Sequence, residues 1–268
     1  MKWMRPLGNT GMQVSALGLG TVKLGRRQGL KYPRAFTVPD ERSARELLAL
    51  ARDLGINLLD TAPAYGNSEE RLGALLAGQR RDWILCTKVG EAFEDGQSRF
   101  DFSPEATRHS VLRSLRRLAT DVLDVVLVHS DGDDLRIMAE LGTLQMLRQL
   151  QQEGLVRAHG ISTKTIAGGL AAAQQCDVVM LTYNLRQRGE GEVLDACARL
   201  GVGALVKKPL GSGLLLCGDP QASGDAARSL RDSLALVLGH AGTGSAVVGT
   251  ISPEHLRENV QCARDLMD

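Results

Sequence analysis

Eight short runs rich in Val, Ile and Leu recur along the sequence, at 15–21 (SALGLGT), 57–62 (NLLDTA), 83–89 (WILCTKV), 123–130 (LDVVLVHS), 156–162 (VRAHGIS), 177–184 (DVVMLTYN), 203–209 (GALVKKP) and 245–251 (SAVVGTI). Most are apolar at consecutive positions rather than alternate ones, so the strands they form need cover on both faces. Between them lie longer stretches, among them 41–55, 103–119, 141–154 and 190–201, with apolar residues every three or four positions. That spacing gives a helix one buried stripe. Buried strands alternating with amphipathic helices predict a parallel sheet covered by helices, and eight such units close most simply into a TIM (β/α)8 barrel. An open doubly wound sheet is the competing arrangement, but Gly18, Gly20 and Gly25 do not match its GxGxxG marker.

Local punctuation supports these boundaries. Gly55, Gly154 and Gly201 stand where helices must turn left-handed into the next strand. Ser103-Pro104 and Ser252-Pro253 place a capping hydroxyl before a proline at the first helical position. Asn9-Thr10-Gly11, between two short extended pieces, predicts an N-terminal β-hairpin closing the barrel bottom. At 268 residues without a compositional break, residues 1–268 are expected to form a single barrel domain.

The net charge of +1 offers no electrostatic attraction for nucleic acid or a membrane surface. The N-terminus lacks a secretory h-region, and no apolar run is long enough to span a bilayer, so a cytoplasmic protein is expected. Cys86, Cys176, Cys197, Cys217 and Cys262 are scattered without a CxxC pair, and neither disulfides nor a metal site is expected. Small molecules are the natural partners, and a monomer is the simplest assembly.

In a barrel of this type the active site lies at the C-terminal ends of the strands. Asp60 ends the second run, with Tyr65 in the loop that follows; Lys88 ends the third and His129 the fourth. Side-chain alternation puts Leu58 with Asp60, Ile84 and Cys86 with Lys88, and Leu127 with His129 on common faces. Singly, each has an ordinary explanation: a turn-capping carboxylate, a loop tyrosine, a lysine reaching solvent, a satisfied core histidine. Together they form a chemical device. A buried Lys88 needs a carboxylate partner, a cation beside a phenol favours its ionised form, and such a phenol is a competent proton donor. A neutral His129 could orient a carbonyl oxygen. The set lacks an electron source, so redox chemistry requires a bound hydride carrier.

These residues lie in segments that resemble the aldo-keto reductases: GMQVSALGLGT, LLDTAPAYGNSEERLG, LCTKVG, VVLVHS, KPLGSG and GTISPEHLRENV. The resemblance spans nearly the whole chain and belongs to a branch with a KPLG motif. It implies NAD(P)H-dependent reduction of an aldehyde or ketone, with Tyr65 as proton donor, Lys88 and Asp60 tuning it, and His129 orienting the substrate. For the cofactor it implies contacts from Gly20, Thr21 and Asp60; from Ser162 and Thr163 at the carboxamide; and from Lys207 where many members carry a ring-stacking aromatic. Pro209, Leu210, Gly211, Ser212 and Gly213 match the pyrophosphate turn. Gly249, Thr250, Ile251, His255, Glu258 and Asn259 match the adenosine end.

The chain departs from the family pattern at Thr163 (family Asn), Met180 (family Gln), and at Gly249 and His255, where NADPH-preferring members often hold a lysine and an arginine. NADPH is nonetheless the expected cofactor, with NADH possible. The short stretches after His129 and after the last helix imply an open substrate site, and the basic 22–40 loop reads as solvated rather than as a pocket wall. Two other functions stay open: a Schiff-base lyase using Lys88, and a cofactor-binding redox sensor with little turnover.

Overall fold

The computed structural model describes residues 2–30, 35–216 and 226–267. Eight parallel strands close into a barrel: β1 (Leu17–Gly20), β2 (Leu58–Asp60), β3 (Ile84–Val89), β4 (Leu123–His129), β5 (Val156–Ser162), β6 (Val178–Thr182), β7 (Gly203–Lys207) and β8 (Ser245–Val248). They are hydrogen-bonded in sequence order, and β8 returns to β1 through Ala246 opposite Leu17. All eight apolar runs become barrel strands; six end before the predicted run does, whereas the third and fifth reach its last residue, Val89 and Ser162. Gly55, Gly154 and Gly201 are left-handed, with φ of 76°, 79° and 70°. The Ser103 and Ser252 hydroxyls accept from the amides of Ala106 and His255, as capping residues do.

Two apolar layers follow from strands buried on both faces. Leu58, Cys86, Val125, Leu127, Val178, Met180 and Leu205 fill the barrel interior, and a larger layer lies between sheet and helices. The interior is sealed below by the predicted hairpin, Met4–Pro6 paired with Gln13–Ser15, whose Leu7, Met12 and Val14 join the inner cluster. Its tip packs backbone to backbone, because a Cβ on Gly8 would fall 2.3 Å from the Gly203 nitrogen.

The β5–β6 contact is just as close: a Cβ on Gly160 would lie 1.7 Å from the Val178 carbonyl oxygen. Gly160→Ala is therefore expected to cost about 1–3 kcal/mol, as other overpacking substitutions do. A lowered denaturant midpoint would show it; an unchanged midpoint would contradict the close approach.

Three features depart from the sequence reading. Glu91–Glu94 and Gln97–Phe100 form a second hairpin immediately after β3. Its signal was present: Asp95-Gly96, with φ of 52° and 80°, is the left-handed pair that a tight hairpin turn requires. The start of the 22–40 loop is not simply solvated. Val22–Gly25 is a helical turn with Leu24 buried, and Arg26 lies 3.3 Å over the Phe93 ring while donating to the Ala64 carbonyl at 3.0 Å. Glu69, expected only to open a helix, is fully buried, accepts from the Thr87 hydroxyl at 2.7 Å and lies 3.5 Å from Arg117. Cys217 and residues 31–34 lie outside the described residues.

Candidate active site

At the C-terminal mouth the strand register sets Gly20 beside Asp60, Asp60 beside Cys86, Lys88 beside Leu127, and His129 beside Ser162. Because Leu58, Cys86 and Leu127 face the barrel interior, alternation sends Asp60, Lys88 and His129 inward one layer higher. Lys88 is 1% exposed and is among the largest fully buried side chains. Its Nζ donates to Asp60 Oδ1 at 2.6 Å and to the Thr61 carbonyl at 2.8 Å. Burial by itself would lower the ammonium's pKa, but the charge of Asp60 and then Tyr65 outweigh it and raise it above the ordinary lysine value. Lys88 is therefore a fixed cation rather than a free amine. Below it, burial and then Asp60 push the Cys86 thiol well up, so Cys86 stays protonated and acts as packing.

The Pro63–Gly66 turn, with Gly66 at φ 64°, brings Tyr65 back over this pair. Lys88 Nζ is 4.8 Å from the Tyr65 ring centroid, and the His129 ring meets Tyr65 edge-on at 6.3 Å. Tyr65 is half-buried, so the site opens to solvent. All four expected residues are thus brought together.

Sequence reasoning missed Glu91. Its Oε2 lies 2.5 Å from His129 Nδ1 and its Oε1 accepts from the Ser98 hydroxyl at 2.5 Å. The Nδ1 contact is shorter than an ordinary charge-assisted hydrogen bond and lacks its ideal N–H direction, and among the described residues no better-aligned acceptor reaches this enclosed nitrogen. Burial would raise Glu91, yet the His129 contact, the Ser98 bond and Arg26 hold it down to about 2. His129 is lowered, first by burial and then by Lys88 and Lys207, against the pull of Glu91. These directions compete, since a carboxylate drawn down by imidazolium needs the imidazolium that burial opposes. We take Glu91 as ionised throughout and His129 as neutral above its lowered value.

The opposite half of the mouth carries the expected cofactor positions. Lys207 Nζ donates to the Ser162 hydroxyl at 2.8 Å and to the Thr163 carbonyl at 2.6 Å. Burial, followed by neighbouring Lys208, lowers it to about 7. The Thr21 and Thr163 side chains are fully buried. Thr21 Oγ1 donates to the Asp60 carbonyl at 3.0 Å and Thr163 Oγ1 to that of Met180 at 3.4 Å. Their backbone amides are engaged as well, donating to the Asp60 and Met180 carbonyls at 2.9 Å each.

Pro209 and Leu210 are buried, leading into the Gly211–Gly213 turn, where Ser212 is left-handed at φ 59° and the glycines present no Cβ. Beyond β8, Gly249 and His255 are exposed, Thr250 and Ile251 are half-buried, and the Thr250 hydroxyl accepts from the Ser252 amide at 3.1 Å. Glu258 is exposed but Asn259 is buried, because 259 joins the inward stripe of Leu256, Val260 and Ala263. Lysine, hydroxyl and glycine-opened backbone donors along one arc are the chemistry that an elongated, phosphate-bearing dinucleotide needs.

Comparison with known proteins places this geometry in context. Residues 16–233 match the Aldo/keto reductase family. The crystal structure of a putative aldo-keto reductase from Pseudomonas aeruginosa is 50% identical and superposes with a TM-score of 0.88, covering 99% of this chain and 95% of that one. The holo form of an aldo-keto reductase from Bacillus halodurans is 28% identical with a TM-score of 0.81, covering 98% and 91%. The NADH-specific methylglyoxal reductase of Escherichia coli is 31% identical over 226 residues, covering 78% of this chain and 68% of its own length.

Proposed function

This chain belongs to the Aldo/keto reductase family of NAD(P)H-dependent oxidoreductases, and from that premise we propose that it reduces an aldehyde or ketone to the alcohol with NADPH, Tyr65 giving the proton. The observation that carries this reading is the buried Lys88–Asp60 pair beneath Tyr65, with Nζ 4.8 Å from the ring. When bound, the dihydronicotinamide supplies the hydride. What the chain's own residues do is hold the acid and orient the carbonyl. The Lys88 ammonium stabilises the phenolate left on Tyr65 after proton donation, and Asp60 keeps the ammonium charged and fixed. The His129 ring, edge-on to Tyr65, flanks the carbonyl oxygen. Because Asp60 and the Thr61 carbonyl hold Lys88 protonated, it is not the neutral amine that a Schiff-base lyase needs.

Ser162 and Lys207 would meet the nicotinamide end, the Gly211–Gly213 turn the pyrophosphate, and residues 249–259 the adenosine. NADPH is favoured over NADH by the amino end of the Pro253–Asp265 helix with Arg257 exposed beside it, which suits an added phosphate. Against it stand the exposed Gly249 and His255 in place of two fixed cations, and the E. coli relative named for NADH.

Calorimetry with both cofactors side by side is the test. Tighter binding of NADPH is the expected outcome, with the gap narrowing as salt screens the 2'-phosphate. Tighter NADH binding would reverse the preference, and absence of binding by either would overturn the assignment. Steady-state rates over a panel of aldehydes and ketones then separate a working reductase from a redox sensor.

A further inference from the structure

Glu91 is a half-buried carboxylate outside the four expected residues, one position past the LCTKVG segment. Its position is built by specific structure. Gly90 turns at φ 93°, where a Cβ would lie 2.5 Å from the Phe102 ring, so the chain leaves β3 and folds straight into the hairpin. Ser98, on the opposite strand of that hairpin, holds Oε1, and Arg26 from the first loop lies close enough to favour the ionised carboxylate. The Glu91 side chain is 11% exposed and that of His129 is 23% exposed. His129 Nδ1 is enclosed against Glu91, which leaves Nε2 as the nitrogen available to the open mouth.

We infer that Glu91 is a positioning residue for His129, fixing a proton on Nδ1 so that Nε2 can donate to a carbonyl only in the imidazolium form and, when neutral, accepts from an alcohol. This rests on the carbonyl-reductase reading above. An imidazole has two nitrogens, and an ionised carboxylate can only accept, so the nitrogen facing it must carry hydrogen. The remaining nitrogen of the neutral ring then has a lone pair and no proton. Reduction, which needs a donor at the carbonyl oxygen, draws on the protonated ring, whereas oxidation of the alcohol draws on the neutral one. It differs in this from the expectation that a neutral His129 donates to the carbonyl.

The charged and titratable groups facing His129 are Glu91 from the hairpin, Lys88 from β3, Lys207 from β7 and the Tyr65 ring from the β2 loop. Burial and both lysines oppose the imidazolium; Glu91 alone among these charges supports it. Reduction should therefore decline as pH rises through the His129 value, and loss of the carboxylate, which frees the neutral ring to carry Nε2–H, should flatten that decline.

The test compares wild-type protein with Glu91→Gln, near in shape but uncharged, in both reaction directions. Side-chain nitrogen NMR of His129, assigned by His129→Asn, is read alongside. The wild type should show Nδ1–H when neutral. Glu91→Gln, whose amide can donate to Nδ1 as well as accept from it, should flatten the reduction profile: the fall in kcat across the His129 transition, about tenfold or more in the wild type, should shrink to less than about threefold. Alcohol oxidation should change less than about threefold, since part of the neutral ring keeps Nε2 unprotonated.

Superimposable pH profiles, or an Nε2–H tautomer in the wild type, would overturn the inference. If Glu91→Gln does not fold, Ser98→Ala, at an exposed position, removes one anchor of the carboxylate and should flatten the profile by a smaller amount. A wild type that reduces no carbonyl would defeat the functional reading instead, and the NMR arm, which needs no turnover, would still decide the tautomer.

Discussion

Tyr65→Phe is expected to lower carbonyl reduction by about 100- to 10,000-fold, the range for loss of a positioned general acid. Cofactor affinity should stay within about twofold, because the substitution removes only the phenolic oxygen and no cofactor contact is assigned to it. The ring contacts survive in Phe: the edge-on packing at 6.3 Å against His129 and the approach of Lys88 at 4.8 Å. So does the backbone turn, in which the Tyr65 amide donates to the Ala62 carbonyl at 2.9 Å. A rate loss with an unchanged melting temperature and an unchanged calorimetric Kd would therefore isolate proton donation. Persistence of most of the activity would remove Tyr65 from that role.

Lys88→Met has the larger expected effect on stability. The substitution keeps the volume but leaves Asp60, 5% exposed, without its cation. Breaking a buried pair from one side costs about 3–5 kcal/mol, since the surviving charge is stranded away from water. For a chain of this size that corresponds to a fall in Tm on the order of 10 °C, readable by circular dichroism. Adding Asp60→Asn removes the stranded charge and should recover part of the lost Tm while recovering none of the rate. That split separates the ion pair's two roles, since its stability role needs only neutrality whereas its chemical role needs the cation under Tyr65. Equal Tm values for the single and double variants would refute the stranded-charge account.

The legible part of this protein was the part written in local periodicity. Apolar runs and helical stripes, punctuated by Gly55, Gly154 and Gly201, give the barrel strands, and alternation along three of them points Asp60, Lys88 and His129 to one face. Asn259 shows a local signal overlooked. The resemblance matches it to the adenosine end, but its place three after Leu256 and four before Ala263 puts it on the buried stripe. The Asp95-Gly96 turn is a similar case, visible in sequence once a hairpin is looked for.

Other facts had no local signal. The Thr21 hydroxyl is directed to the Asp60 carbonyl, 39 residues away in sequence, and the Thr163 hydroxyl to that of Met180. Glu69 reaches Thr87 and Arg117 across three elements. Each of these side chains could equally face solvent in an isolated strand or helix. Which way it turns depends on neighbours that the chain supplies only after closure.

The sequence by itself determined the alternation of strand and helix, the closure it favours and the three strand-borne members of the candidate site, because period-two and period-three-to-four patterns act over a few residues. Tertiary structure decided how far Tyr65 folds back over Lys88, which hydroxyls are left for a ligand, and that Glu91 meets His129 from a hairpin 38 positions earlier. Those are long-range polar pairings, fixed by burial that leaves each charge or donor little choice of partner once water is excluded.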